Sequence, residues 1–214
     1  MTQKEKKARA AAIVATLKDL YPKAVCALEW GDEPWRLLVM GRLSAQCTDA
    51  RVNIVCRELF ARFPTARALA YAPIDEVEAI VHPCGLYRTK ARNVVDACRM
   101  LVEEHGGNLP QEMDALLRFP GVGRKIANLL RGDVFGLPAI VADTHCIRLG
   151  GRFGLYPAKQ KDPAKVERIL MGLITPEEQN DFCHRLVQFG RDVCTARAPR
   201  CHECPLAALC ARQT

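Results

Sequence analysis

No stretch of this 214-residue chain stays apolar for the roughly 20 residues that a membrane-spanning helix needs, so no bilayer partner is expected. The opening MTQKEKKARAAAIVATLKDLY has no continuous apolar segment followed by a cleavage site, so no secretory signal is expected either. Sustained alternation of apolar and polar residues is missing, which argues against sheet. Repeats, low-complexity tracts and long linkers are missing too, so a chain of two domains would have to pass between them through short connections. These absences predict a soluble helical protein working in a reducing cytoplasm.

Cysteine is plentiful by contrast, at 11 residues. An odd count in a chain of this size without an export signal does not describe a disulfide framework. Cys26, Cys47, Cys56, Cys84, Cys98, Cys146 and Cys183 stand singly among apolar neighbours and read as small buried hydrophobes. Cys194, Cys201, Cys204 and Cys210 differ, because they share the terminal stretch CTARAPRCHECPLAALC. With 49% apolar and 26% charged residues, the chain has the make-up of a globular protein large enough for one sizeable core or two small ones.

The hydrophobic period is helical nearly throughout. In ARNVVDACRMLVEEH, Val94, Val95, Cys98, Leu101 and Val102 mark one face of an amphipathic helix. Val166, Ile169, Leu170, Leu173 and Ile174 repeat the pattern behind Asp162 and Pro163, a helix-start signal. RLLVMGRLSAQ (36–46) is apolar on most sides and predicts a buried helix. Short loops punctuate at GDEP, FPT, HPCG, HGGNLP, FPGVG, FGLP and GLYP. The expected fold class is all-α.

The formal charge of +7 is unevenly spread. RFPGVGRKIANLLR (118–131) carries Arg118, Arg124, Lys125 and Arg131 and no acid. Within it, Gly121 and Gly123 flank Val122, permit positive φ, and let a partner's backbone approach without meeting a Cβ. The amides of such a turn point outward at the positive end of the next helix's dipole, a setting for a phosphate oxygen, with Arg124 beside it. Lys125 falls in the first turn of that helix, where the dipole and Arg124 disfavour an ammonium and are expected to depress its pKa. At its ordinary value only about one lysine amine in 2,500 is neutral at pH 7, a handicap of roughly 4.6 kcal/mol for a nucleophile. The local residues alone favour a phosphate-contacting or solvated lysine. Asp143, after an apolar run and before Thr144, is expected to cap a helix, a role compatible with a rigidly held catalytic carboxylate.

LSAQCTD (43–49), GLYRTKARN (85–93), FPGVGRKIAN (119–128), VADTHCIR (141–148) and the terminal Cys-x6-Cys-x2-Cys-x5-Cys occur in this order over almost the whole chain. Together they resemble the endonuclease III family of DNA glycosylase/AP lyases, within the helix–hairpin–helix glycosylase superfamily. That resemblance implies two helical domains with a DNA-binding cleft between them. One is a six-helix barrel domain ending in the hairpin (27–137); the other is discontinuous (1–26 and 138–214) and carries the cluster loop. It implies that Lys125 is the Schiff-base lysine and Asp143 the catalytic aspartate. Gln46 and Leu86 fill the gap left by an extruded nucleotide. Cys194, Cys201, Cys204 and Cys210 become the thiolates of a [4Fe–4S] cluster. Zinc is the physical competitor, but it usually takes two close cysteine pairs, and only one Cys-x2-Cys is present.

Four metal–thiolate bonds would fix a tail too poor in large apolar residues to build its own core. Arg197 and Arg200, between the first two cysteines, are candidates for phosphate contact. The implied partner is double-stranded DNA with damaged bases or abasic sites, and the implied enzyme is a monomer, nucleoid-associated if bacterial. Its activity is removal of oxidised pyrimidines with β-elimination at the abasic site. A monofunctional adenine-type glycosylase is the alternative enzyme, although LSAQCTD lacks that group's glutamate; a non-catalytic cluster-bearing DNA-binding protein is the alternative class. Ile126 stands where the family commonly has threonine, and RGDVFG (131–136) and LGGRFG (149–154) also depart from its pattern.

Overall fold

The computed structural model describes residues 1–211, and every regular element among them is helical. The α-helices are α1 (Gln3–Leu20), α2 (Pro34–Leu43), α3 (Asp49–Arg62), α4 (Ala66–Ala70), α5 (Ile74–Val81), α6 (Tyr87–His105), α7 (Met113–Leu117), α8 (Arg124–Asp133), α9 (Thr144–Arg152), α10 (Pro163–Leu173) and α11 (Gln179–Asp192). The all-α expectation holds. The chain divides into two compact units, one spanning Cys26–Phe135 and the other joining Met1–Val25 to the segment that begins at Gly136.

Several helices begin where a short polar side chain supplies the missing acceptor. Thr2 and Glu5 form a reciprocal capping box on α1, and Thr48 and Thr65 accept from Arg51 N and Ala68 N at the starts of α3 and α4. At α10, Asp162 Oδ1 accepts from Ala164 N at 2.9 Å and Lys165 N at 3.2 Å, with Pro163 in the first helical position, as its sequence signal predicts. Each such cap is worth about 1 kcal/mol relative to alanine.

In the unit Cys26–Phe135, α6 is the central rod, packed against α2, α4 and α5. It buries Ala91, Val94, Val95, Cys98 and Leu101, while Val102 lies at the edge of the core. Burying each valine or leucine contributes about 1.5–3 kcal/mol, so this face rather than helix propensity fixes α6. The α2 helix is apolar on most sides, as expected, and buries Leu37, Leu38, Val39, Met40 and Leu43. It stops at Leu43, short of the expected residue 46, where Gln46 turns left-handed at φ 54°. Gly41 brings α2 close to α8, since a Cβ there would lie 3.2 Å from Ile126 Cγ2. Ile126, a departure from the family pattern, is thereby a buried packing residue against α2.

Two polar side chains work inside this unit. Asn53 accepts from Glu29 N at 3.1 Å and donates to Ala27 O at 3.0 Å, fastening the entering segment to α3. Lys90 is fully buried, and its Nζ donates to Leu43 O at 2.8 Å and Cys84 O at 2.7 Å. Burial holds its amine below the usual lysine range.

In the other unit, α11 packs on α1 and α9, and α10 packs on α1. Phe189 meets the edge of Tyr21 at 6.4 Å and Phe153 at 6.1 Å between ring centres. Buried Arg185 bridges Glu178 and Asp181, each at 2.7 Å, and Lys18 reaches Glu178 at 2.5 Å. The paired glycines of LGGRFG also find their cause here. A Cβ on Gly150 would sit 2.4 Å from the Tyr156 hydroxyl, and that hydroxyl donates to the Cys146 and Ile147 carbonyls at 2.9 and 3.1 Å.

Candidate functional site

The hairpin between α7 and α8 is built on Gly121, whose φ of +76° is closed to most side chains. There is no room for a Cβ either: it would stand 2.4 Å from Arg42 Nε and 2.6 Å from both Arg42 Cδ and the Asn93 amide. Arg42 is held in place by Asn93, whose amide oxygen accepts from Arg42 Nε at 2.9 Å and Nη2 at 3.0 Å. The turn is therefore seated on a guanidinium. Arg42 and Asn93 carry no signal for this in the sequence, because 28 residues separate Asn93 from Gly121 and more separate Arg42.

Val122 is buried, and its amide donates to Phe119 O at 3.0 Å, so it closes the turn from inside. Gly123, the N-cap of α8, is extended (φ −103°, ψ 178°), so the positive φ allowed for by its sequence is not used. A Cβ on Gly123 would meet nothing of the protein within 4 Å, and the residue offers no side-chain cap. Its backbone faces open space at the positive end of α8. Arg124 and Lys125 follow as exposed residues in the first turn of that helix, and α8 has no acid in that turn.

Gln46 and Leu86 are two of three non-glycine residues with positive φ among the described residues, at 54° and 50°. Such backbone costs about 1–2 kcal/mol at a residue with a Cβ, and strain of this kind gathers at functional positions. Leu86 is 60% exposed although it is a leucine, and Gln46 is exposed as well. Nothing in the local sequence announces these conformations.

Asp143 caps α9 through Oδ1, which accepts from Cys146 N at 2.7 Å, and Ile140 and Val141 behind it are buried. The carboxylate is half-buried and fixed by this bond. Lys125 belongs to the unit Cys26–Phe135 and Asp143 to the other.

The terminal cysteine segment winds through two 3-10 turns, Cys201–Glu203 and Ala207–Leu209, with Leu206 as its fully buried anchor. Its attachment to the helices is made largely by arginines of α9. Arg152 Nη1 lies 3.1 Å from Cys194 Sγ and donates to Thr195 O at 2.8 Å, while Nη2 donates to Ala196 O at 3.0 Å. Arg148 Nη2 donates to Cys194 O at 3.0 Å and Gly190 O at 3.3 Å. Ala211 N returns to Arg152 O at 3.0 Å, and Cys210 Sγ is 3.2 Å from the same oxygen. These arginines lie more than forty residues before the cysteines they hold, so no spacing pattern reveals them.

The thiol of Cys204 is pushed up, first by burial and then by Cys194, Cys210 and Cys201, so Cys204 lies within electrostatic reach of the other three sulfurs. Burial and the neighbouring Arg152 disfavour the charge on Arg148, whereas Cys194 favours it. Four cysteine sulfurs in one short segment are the donor type that iron–sulfur chemistry uses. Among the described residues no group of three or more His, Cys, Asp or Glu side chains is gathered to hold a metal ion. Arg197 is exposed; Arg200 is exposed too, but its guanidinium donates to the Asp192 carbonyl.

A helical scaffold with an arginine-seated hairpin and a cysteine-rich tail has a known counterpart. The profile of HhH-GPD superfamily base excision DNA repair proteins matches residues 39–176, and that of the iron–sulfur binding domain of endonuclease III matches residues 194–210. The chain is 48% identical to endonuclease III of Synechocystis sp. over 96% of its length and 93% of that protein's. It is 42% identical to endonuclease III of Bacillus subtilis, covering 90% and 87% of the two chains. The solved structure of a non-covalent endonuclease III–DNA complex superimposes with a TM-score of 0.90 at 38% identity, covering 99% of this chain and 96% of that one. The chain belongs to the endonuclease III family: it is a base excision DNA repair enzyme with a [4Fe–4S] cluster as cofactor. A thermostable thymine-DNA glycosylase shares the fold, with a TM-score of 0.86 at 20% identity.

Proposed function

We propose that the protein binds duplex DNA, extrudes an oxidised pyrimidine or abasic nucleotide, and cleaves the strand through a covalent lysine intermediate. What carries this reading is the seat of Lys125: exposed, in the first turn of α8, directly behind a backbone bend that leaves open space above Gly123. The bend and the exposed Arg124 bind backbone phosphate at the helix's positive end. Gln46 and Leu86, held in left-handed backbone, enter the stack that the extruded nucleotide vacates.

The neutral Lys125 amine attacks the deoxyribose C1′ and the C1′–N bond breaks, its electron pair leaving with the base, which takes up a proton. Loss of the amine proton and ring opening give a C1′ Schiff base on Lys125. That iminium acidifies the C2′ hydrogen; a base removes it, and the electrons expel the 3′ phosphate in a β-elimination. Asp143, rigid at the α9 start, stabilises developing positive charge on the sugar and moves the proton. Cys194, Cys201, Cys204 and Cys210 hold the cluster. A [4Fe–4S] centre with four thiolates carries about −2 charge, which the fork of Arg152 offsets. The enzyme acts as a monomer, with Lys125 and Asp143 carried by one chain. Its place of action is the cytoplasm, at the nucleoid if the source is bacterial, and no helix among the described residues is long and apolar enough to cross a membrane.

Borohydride trapping on a duplex with one abasic site tests the proposal. Wild-type protein is expected to yield a reduced, covalent protein–DNA adduct, and Lys125→Ala to yield none while retaining the cluster's visible absorbance. An adduct that persists in Lys125→Ala, or wild-type protein that releases bases without any adduct, refutes the lysine mechanism.

A further inference from the structure

The lysine mechanism leaves one buried charge without a task. Lys90, the fourth residue of α6, is 0% exposed, and its ammonium is matched with two neutral carbonyls, Leu43 O at 2.8 Å and Cys84 O at 2.7 Å. Taking an ammonium out of water is costly, and an apolar side chain of similar length would fill the space without that cost. The two acceptors explain why an amine stands here. Leu43 is 0% and Cys84 2% exposed, so neither residue is open to water, and a buried carbonyl needs a donor. Cys84 is one of five cysteines outside the terminal segment that are buried as their apolar surroundings predict, while Cys26 and Cys47 are half-buried. Leu43 ends α2, where carbonyls lack a partner within the helix and a cation is favoured.

Both carbonyls lie at the root of a strained segment. Ser44 follows Leu43 and opens a turn closed by Cys47 N, which donates to Ser44 O at 3.1 Å. Gln46 is the third residue of that turn, at φ 54°. Beyond Cys84 come Gly85 at φ 68° and Leu86 at φ 50°, and α6 then begins. The first backbone bond of α6 is made by Lys90 itself, whose amide donates to Leu86 O at 3.0 Å. Lys90 thus fastens Leu86 by its backbone and the roots of both segments by its side chain. Left-handed backbone at a residue with a Cβ persists only where the surroundings over-determine it.

We propose that Lys90 is a positioning residue for the repair reaction: its amine locks the Gln46 turn and the Leu86 turn into one frame, so that both side chains meet the DNA stack together. The inference rests on the reading that Gln46 and Leu86 enter the space left by the extruded nucleotide. Being fully buried, Lys90 acts through the backbone of the two segments and not by touching DNA. With both conformations fixed beforehand, neither segment has to be ordered during the encounter. Without the amine, two buried carbonyls lose their donor and each segment relaxes independently toward negative φ. The hairpin and Arg124, which take the phosphate in the proposed function, keep their places.

Lys90→Met is nearly as long but has no donor. Holoprotein is mixed by stopped flow with abasic duplex carrying a fluorescent adenine analogue beside the abasic site, whose signal reports entry of side chains into the stack. Affinity for undamaged duplex and the rate of borohydride trapping are measured on the same preparations. Lys90→Met is expected to bind undamaged duplex like wild type, while the fluorescence phase and trapping both slow several-fold. In a protein already carrying Gln46→Ala and Leu86→Ala, adding Lys90→Met is expected to slow trapping no further, since nothing remains to be positioned. A lysine with a merely structural role would weaken all three readings together, or slow the Gln46→Ala/Leu86→Ala protein as much as wild type. Either result overturns the proposal, as does a wild-type fluorescence phase in Lys90→Met. If Lys90→Met loses the cluster's visible absorbance, Lys90→Gln, which keeps a shorter donor, is judged by the same criteria. Failure of the stacking reading looks different: Gln46→Ala/Leu86→Ala alone would then show the wild-type phase, and the positioning role would fall with it.

Discussion

Replacing Gly121 by alanine tests the seat of the hairpin with a single methyl group. Two costs act together. Alanine at φ +76° carries a left-handed penalty of about 1–2 kcal/mol. The new Cβ would also lie 2.4 Å from Arg42 Nε, and Arg42 can yield only by giving up its two bonds to Asn93 at 2.9 and 3.0 Å. Forcing a side chain out of a packed, hydrogen-bonded place costs about 1–3 kcal/mol. The expected destabilisation is thus about 2–5 kcal/mol, read as a shift in urea midpoint at constant m-value. Gly123→Ala is the matched control, since its Cβ meets nothing within 4 Å and its backbone is extended. It is expected to cost less than about 1 kcal/mol in stability. Under the proposed phosphate contact the same Cβ would occupy the space above the bend, so it is nevertheless expected to weaken binding to abasic duplex in a fluorescence-anisotropy titration. Equal melting curves for the two variants would refute the reasoning, as would Gly123→Ala binding DNA like wild type.

Other consequences are open to measurement. Arg152→Ala removes the fork that holds Cys194, Thr195 and Ala196, and is expected to weaken the tail by about 2–3 kcal/mol, seen as faster loss of visible absorbance under a chelator; Arg152→Lys restores charge but not the fork, and is expected to rescue only in part. Tyr156→Phe deletes the hydroxyl shared by two α9 carbonyls and is expected to lower stability by about 1 kcal/mol in a denaturant titration. Glu178 is held below the usual carboxylate range, chiefly by its bond to Lys18 and then by Arg185. A depressed folded-state pKa gives stability that is complete above the unfolded value near 4.5 and fades as pH falls through the lower folded value. Melting curves are therefore expected to fall below about pH 4.5, with a smaller acid decrement in Lys18→Ala.

The periodic elements were legible in the residues themselves. The apolar stripe at 94–102 and the Asp162–Pro163 start both correspond to helices, because burial of one face and capping of one end are local properties of the chain. The hairpin was legible as a bend with outward backbone, and its glycines were distinguished only by the fold: Gly121 supplies the positive φ and the close approach, Gly123 only the open space. What could not be read is what distant segments do to each other. Arg42 under the turn, Arg152 around Cys194 and Lys90 between two carbonyls have ordinary neighbours in sequence and acquire their work from packing. The left-handed leucine at 86 is the clearest case, since leucine is among the residues from which that conformation is least expected.

That leucine also sets a limit on how this protein can be made sturdier. Glycine at 86 would relax the backbone by about 1 kcal/mol and would remove an exposed apolar side chain, so a screen for heat resistance alone would favour it. That position is also the one proposed to enter the stack vacated by the extruded nucleotide. Thermal optimisation and the stacking role proposed for Leu86 thus pull position 86 in opposite directions.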